Sequence, residues 1–223
     1  MSRKAGRRKM TRRTVARHLG TLAGGTALLG PGIAQALLAT PSQTQGPFYP
    51  PKPHAETDID LTLLDGHAEH AAGEIILVRG RVTDLDGTPL ANARVDIWQA
   101  NHFGRYAHPD DRNTAPLDPN FQGIGITHTD ADGRYGFRTI RPAPYPLSFL
   151  DDSGMRARHI HFKVAHEGTG KVSTQMYFEG DPLIEGDTVM RGTPEEQRHL
   201  LITAPVRDEE TGLPAHYFDI ALG

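Results

Sequence analysis

GEIILVRGRVTDLDGTPLANARVDIWQAN, residues 73–101, decides the fold. A short apolar, β-branched run leads into Asp86-Gly87, and a second run of the same kind follows. A strand, an Asp-Gly turn and another strand are what that order predicts. The pattern recurs in GIGITHTDADGRYGFRTI (123–140), with its turn at Asp132-Gly133. Four more short runs follow: RHIHFKVAH (158–166), VSTQMYFEG (172–180), RHLLITAPV (198–206) and AHYFDIAL (215–222). Eight or more short strands between turns predict an all-β fold, an antiparallel β-sandwich. Residues 101–122 and 141–157 interrupt the rhythm, and loops of that length in a compact domain usually carry function.

With 223 residues, 37% of them hydrophobic, the chain is long enough for one domain with appendages. It has no cysteine, which excludes disulfides and thiolate metal sites and leaves nitrogen and oxygen donors. The net charge of −3 hides an asymmetry: residues 1–36 hold basic side chains and no acids, so the remainder is strongly acidic. An acidic body argues against nucleic acid as a partner. Residues 1–36 read as a cleavable export signal of the twin-arginine type. Arg12-Arg13 stand near the start, a weakly apolar stretch follows, and Ala34-Gln35-Ala36 is the candidate cleavage site. The apolar stretch is too short for a stable membrane span. An exported, periplasmic or extracellular location is therefore expected. Residues 37–72, rich in Pro, Thr and His, read as an extended arm over the core, and residues 73–223 as the sandwich.

Within the sandwich, RARHIHF (156–162) spends two same-face strand positions on imidazole. Side chains alternate along a strand, so His159 and His161 share one face while Ile160, Phe162 and Val164 share the other. The next strand divides the same way, with Met176 and Phe178 on one parity and Gln175 and Tyr177 on the other. A His-x-His strand is more often a solvent-facing pair than a metal site. What points further is a pair of tyrosines in the two long loops: Tyr106 in NHFGRYAHPDD and Tyr145 in RPAPYPLSF. Two phenolates and two imidazoles would form an N₂O₂ set suited to a hard ion such as Fe(III), although spacing alone does not establish it.

Six stretches, in order, carry a family resemblance: TPSQTQGPFYP (40–50), VDIWQANHFGRY (95–106), APLDPNFQGIG (115–125), DADGRYGFRTIRPAPYP (130–146), RHIHF (158–162) and STQMYFEGDPL (173–183). The chain resembles the intradiol ring-cleavage dioxygenases, particularly the iron-bearing chain of the protocatechuate type. That resemblance implies a mononuclear non-haem Fe(III) held by Tyr106, Tyr145, His159 and His161. It implies a catechol-type substrate opened by O₂ to a cis,cis-muconate-type diacid. It makes Tyr145 the ligand that leaves when substrate binds, and Arg156 and Gln175 catalytic neighbours. Tyr49, Leu147, Gln175 and Tyr177 would line the substrate pocket. The protocatechuate type also implies a related second chain, with a homo-oligomer as the alternative.

The chain departs from that family at the loop before the histidines. Leu147 follows Pro-Tyr-Pro where an aromatic is usual, Arg-Ala-Arg-His stands for Arg-Pro-Ala-His, and Asp151 and Asp152 add charge. Arg158 competes with Arg156 for the arginine role, although strand parity points it away. Two rival readings stay open from the residues themselves. One is a copper- or zinc-binding sandwich using His159 and His161. The other is a non-catalytic binding module, because GRVTDLDGTPLANARVDIW also resembles accessory β-sandwich repeats.

Overall fold

The computed structural model describes residues 37–50, 57–147 and 154–223. The expected export signal and the Asp151–Asp152 pair lie outside these residues. One sheet is built on β1 (Ile75–Asp84). On one edge it pairs antiparallel with β4 (Arg134–Ile140), from Ile75 opposite Ile140 to Arg81 opposite Arg134. On the other edge it takes the C-terminal segment in parallel. Leu77 lies opposite Ala215 in β11 (Pro214–Tyr217), and Val82 opposite Ile220 in β12 (Ile220–Leu222). A short β10 (Pro205–Arg207) closes that edge against β11.

The second sheet has the order β3 (Ile124–His128), β2 (Arg94–Trp98), β7 (His159–His166), β8 (Gly170–Phe178), β9 (Ile202–Thr203). A two-residue pair, β5 (Tyr145–Pro146) with β6 (Met155–Arg156), stands apart. Between β8 and β9 the chain makes two single-turn helices, α1 (Thr188–Arg191) and α2 (Glu195–Arg198). Alternation along the strands places the core between the two sheets. Ile76, Val78 and Val82 of β1 and Tyr135 and Phe137 of β4 meet Val95, Ile97, Ile160, Phe162, Val164 and Met176 from the other side. Phe162 packs 4.9 Å from Phe218 and 6.1 Å from Tyr135, ring centre to ring centre. Truncating a core aromatic of this kind to alanine costs about 3–5 kcal/mol.

The sandwich agrees with the sequence, but two details of its connections do not. Both Asp-Gly turns form, with Gly87 at φ 82° and Gly133 at φ 74°. Neither makes a hairpin: β1 and β2 lie in different sheets, as do β3 and β4. After Gly87 the chain pairs back briefly at Pro89 opposite Thr83, with the Asp84 amide donating to Thr88 and the Leu90 amide to Val82, and then crosses to the other sheet. At Gly133 a Cβ would sit 2.5 Å from the Val82 carbonyl oxygen, so only glycine fits that crossing. The second departure is direction. β1 with β11, β1 with β12 and β8 with β9 are all parallel pairs, so the sandwich is not purely antiparallel.

Residues 37–47 run along the sheets rather than away from them. The amides of Leu37, Thr40 and Gln43 donate to the carbonyls of Leu85, Ala221 and Ser173. Further on, Ile59, Leu61 and Ala71 are buried with the sandwich's own apolar set. This path carries the chain across the outer face of the second sheet, where the polar side chains of β7 and β8 point.

Candidate active site

Register sets the floor of the site. On the outer face of the second sheet, Trp98 of β2 lies opposite His161 of β7, and His161 opposite Gln175 of β8. His159 lies opposite Tyr177. All five are buried, so this polar row is a lined interior rather than a solvated face. The segment 43–48 roofs it. Gln175 donates to the Thr44 carbonyl at 3.1 Å, and Tyr177 lies 3.4 Å from Gln43 Oε1. Gly46 (φ 68°) passes so close that a Cβ there would lie 3.6 Å from His161 Cε1. Phe48 packs its ring 4.7 Å from Tyr106 and 6.3 Å from Tyr145.

The structure brings the four expected donors together. The Nε2 atoms of His159 and His161 face each other at 3.1 Å. His159 Nδ1 lies 2.7 Å from the Ala157 carbonyl, which can only accept, so the proton sits on Nδ1 and the Nε2 lone pair is free. Burial holds both imidazoles well below their usual pKa, with Arg156 acting in the same direction and His159 adding to the effect on His161. They are therefore neutral, the form that binds metal. The Tyr106 and Tyr145 rings meet edge to face at 5.4 Å, and Tyr145 lies 5.5 Å from the His159 ring.

Burial pushes the Tyr106 phenol well up, and the Tyr145 hydroxyl beside it acts the same way. Tyr145 is also raised by burial, against the pull of Arg156. Among the described residues, the fully buried Tyr106 hydroxyl meets no partner in standard hydrogen-bond geometry, and neither does His161 Nδ1. Lone pairs converging in a dry site are costly unless a cation meets them. Two phenols and two imidazoles suit a hard cation, which would also reverse the upward pKa shifts. Among the described residues no group of three or more His, Asp or Glu is placed to hold a metal. The partners of His159 and His161 are phenols, which weighs against the copper or zinc reading.

Arg156, paired with Tyr145 through β5 and β6, reaches into the same space. Its Nε donates to Asp187 Oδ2 (2.9 Å) and its Nη2 to Gln175 Oε1 (2.5 Å). Its Nη1 lies 3.5 Å from the Tyr145 hydroxyl. Burial opposes its charge, but Tyr145, Tyr177 and Asp187 outweigh that and hold its pKa above the ordinary arginine range. Arg158 turns the other way, to Asp181 at 3.3 Å. Tyr49 is one layer back from the donors: its hydroxyl donates to Asp96 (2.9 Å) and its ring sits edge-on to Trp98. Leu147 is 42% exposed, just beyond Tyr145.

Three neighbours escaped the sequence reading. Trp98 stacks on His161, Phe48 bridges the two tyrosines, and Asp187 holds Arg156. The parity of β2 carried a signal for Trp98, which shares a face with Asp96. Asp187 lies in a turn with no periodicity, where no such signal exists.

Known proteins match this arrangement over most of the chain. The family described as "Dioxygenase" matches residues 44–223. The protocatechuate 3,4-dioxygenase beta chain of Burkholderia cepacia is 44% identical over 179 residues, covering 79% of this chain and 76% of that protein. Catechol 1,2-dioxygenase 2 of Acinetobacter lwoffii is 35% identical over 162 residues, covering 66% of this chain; the match spans about half of that longer protein, 54%. Among solved structures, 3-chlorocatechol 1,2-dioxygenase of Rhodococcus opacus superposes with a TM-score of 0.65 at 26% identity, over 85% of this chain and 74% of that one. The residues, their order and the fold together place the chain in the intradiol dioxygenase family of ring-cleaving oxidoreductases.

Proposed function

We propose that this protein is an Fe(III)-dependent intradiol dioxygenase, cleaving a catechol-type ring with O₂ between its two hydroxylated carbons to give a cis,cis-muconate-type diacid. One observation carries the reading: two neutral imidazoles converge at 3.1 Å beside the buried phenols of Tyr106 and Tyr145. Tyr106, Tyr145, His159 and His161 would hold the iron, which when bound supplies Lewis-acid polarisation and a template for the two substrate oxygens.

The remaining chemistry belongs to the side chains. Tyr145, with Arg156 Nη1 beside its oxygen, is the phenolate placed to take up a proton from an arriving catechol hydroxyl. Arg156 presents fixed positive charge where negative charge builds on the ring, in a site too dry for water to screen it. Gln175 and Tyr177 hold that guanidinium level with the donors. Phe48, beside both tyrosines, supplies an apolar surface against which an aromatic ring packs.

Two further readings rest on sequence. Residues 1–36 would direct export by the twin-arginine route, which carries proteins already folded. The relative whose name includes "beta chain" supports a related second chain as a partner.

The test is the visible spectrum of Fe(III)-loaded protein, recorded before and after catechol and then protocatechuate are added without oxygen. Oxygen is then admitted and ring-opened product assayed. A broad tyrosinate-to-iron band that shifts with one substrate, followed by diacid formation, is the expected result. Loaded protein with no such band and no cleavage of catechol, protocatechuate or hydroxyquinol would overturn the proposal. Copper or zinc binding that survives Tyr106→Phe and Tyr145→Phe would favour the His159–His161 alternative.

A further inference from the structure

Asp187 is completely buried, yet it is an acid outside the donor set. Its two oxygens serve different partners and both are filled. Oδ2 accepts from Arg156 Nε and from the Ala157 amide, each at 2.9 Å. Oδ1 accepts from the amides of Val189 (2.9 Å) and Met190 (3.0 Å), capping α1. The Ala157 peptide then passes the constraint on, because its carbonyl accepts from His159 Nδ1 at 2.7 Å. One carboxylate thus fixes the Arg156 side chain directly and the His159 ring through one intervening residue, Ala157.

We infer that Asp187 is a positioning residue for ring cleavage, aligning Arg156 and His159 against a rigid helix start. This rests on the dioxygenase reading above. A carboxylate that served only as a helix cap would need one oxygen. The second oxygen, aimed at two groups of the site, is what assigns the further role. Charge-assisted bonds of this geometry are the strong class, and outer partners of metal-binding histidines set ring orientation.

Asp187→Asn separates the two roles. An asparagine oxygen can still cap α1, while its NH₂ meets the donors of Arg156 and Ala157 and cannot accept from them. In Fe(III)-loaded protein we expect kcat on the substrate that wild type turns over to fall by about a hundredfold, with KM changed less than about threefold. The tyrosinate-to-iron band should also shift, because Arg156 no longer points at Tyr145. Asp187→Glu, which keeps the charge, should recover part of the rate. Should Asp187→Asn fail to fold, the double variant Arg156→Leu/Asp187→Asn removes both members of the buried ion pair and is compared with Arg156→Leu, which keeps the carboxylate. The double should be less than about threefold slower than Arg156→Leu alone if Asp187 acts mainly through Arg156. Wild-type activity with Asp187→Asn matching it in kcat and band position overturns the inference alone, as does a double variant far slower than Arg156→Leu with its band unmoved, since Asp187 would then act through neither Arg156 nor His159. Wild type lacking both band and turnover overturns the dioxygenase reading, and this inference with it.

Discussion

The indole of Trp98 lies flat against the imidazole of His161, 4.7 Å between ring centres and 6° between planes. Behind it Tyr49 stands edge-on at 4.9 Å, tied by its hydroxyl to Asp96, which Arg94 grips in turn. Among the described residues His161 Nδ1 meets no hydrogen-bond partner. Its ring is oriented by this stack, where His159 is oriented by a carbonyl.

Trp98→Leu should therefore loosen the metal more than the fold. Apparent iron affinity, measured by competition with a chelator, is expected to fall about tenfold, the usual scale for an outer support of a metal ligand. Tyr49→Phe, which keeps the ring, should have a smaller effect. Equal affinity in wild type and Trp98→Leu would reduce the stack to ordinary packing.

Tyr145→Phe should weaken the charge-transfer colour and slow ring opening by at least about a hundredfold, since it removes both a donor and a proton acceptor. Absorption spectra and oxygen uptake report the two losses separately. Unchanged colour and rate would strike Tyr145 from the donor set.

Arg156→Ala and Arg158→Ala distinguish two arginines that sequence alone leaves in competition. The first should depress turnover by about a hundredfold with iron still bound, and it leaves Asp187 unpaired at a cost of about 3–5 kcal/mol. The second loses a partly exposed ion pair with Asp181 and should leave the rate within a few-fold. The reverse ranking would mean that the loop before the histidines is read one turn out of place.

Acid should destabilise the protein through His216. It is buried in β11, with Nδ1 3.1 Å from Thr203 Oγ1 and its ring against Phe178; Arg141 and Glu74 also act on it. Burial holds its pKa below the ordinary 6.5. In the unfolded chain it protonates near that value, so below about pH 6.5 the unfolded state binds more protons and stability falls as pH drops, levelling below the folded pKa. Denaturation midpoints between about pH 7.5 and 5 should decline, and His216→Gln should flatten part of the slope. Identical slopes would assign the acid sensitivity elsewhere.

What the sequence disclosed follows from period two. Ile160, Phe162 and Val164 lie in the core, and His159, His161, Gln175 and Tyr177 line the other face, because alternation is a local property of strands. Pairing is not local. Asp86-Gly87 and Asp132-Gly133 predict reversals and deliver them, yet a turn does not say whether the returning strand joins the same sheet. The contributions of Phe48 and Asp187 depend on segments that meet only in the folded chain, so no spacing announces them. The arm shows the same limit: its path over β8 is set by backbone bonds to Ser173 and Ala221.

The parallel pairing of β1 with the last strands has a consequence for synthesis. The Arg81 amide waits for Asp219, 138 residues further along. Until residues 214–222 have left the ribosome, β1 has an unsatisfied edge and Ile76, Val78 and Val82 lack part of their cover. Such distant pairing slows folding, and an open strand edge recruits other chains. A truncation before Pro214 should accumulate as aggregate, separated by sedimentation, to a greater extent than protein that carries residues 214–223. The strands that close the sheet around β1 are thus made long after β1 itself, and the sandwich closes only once they have emerged.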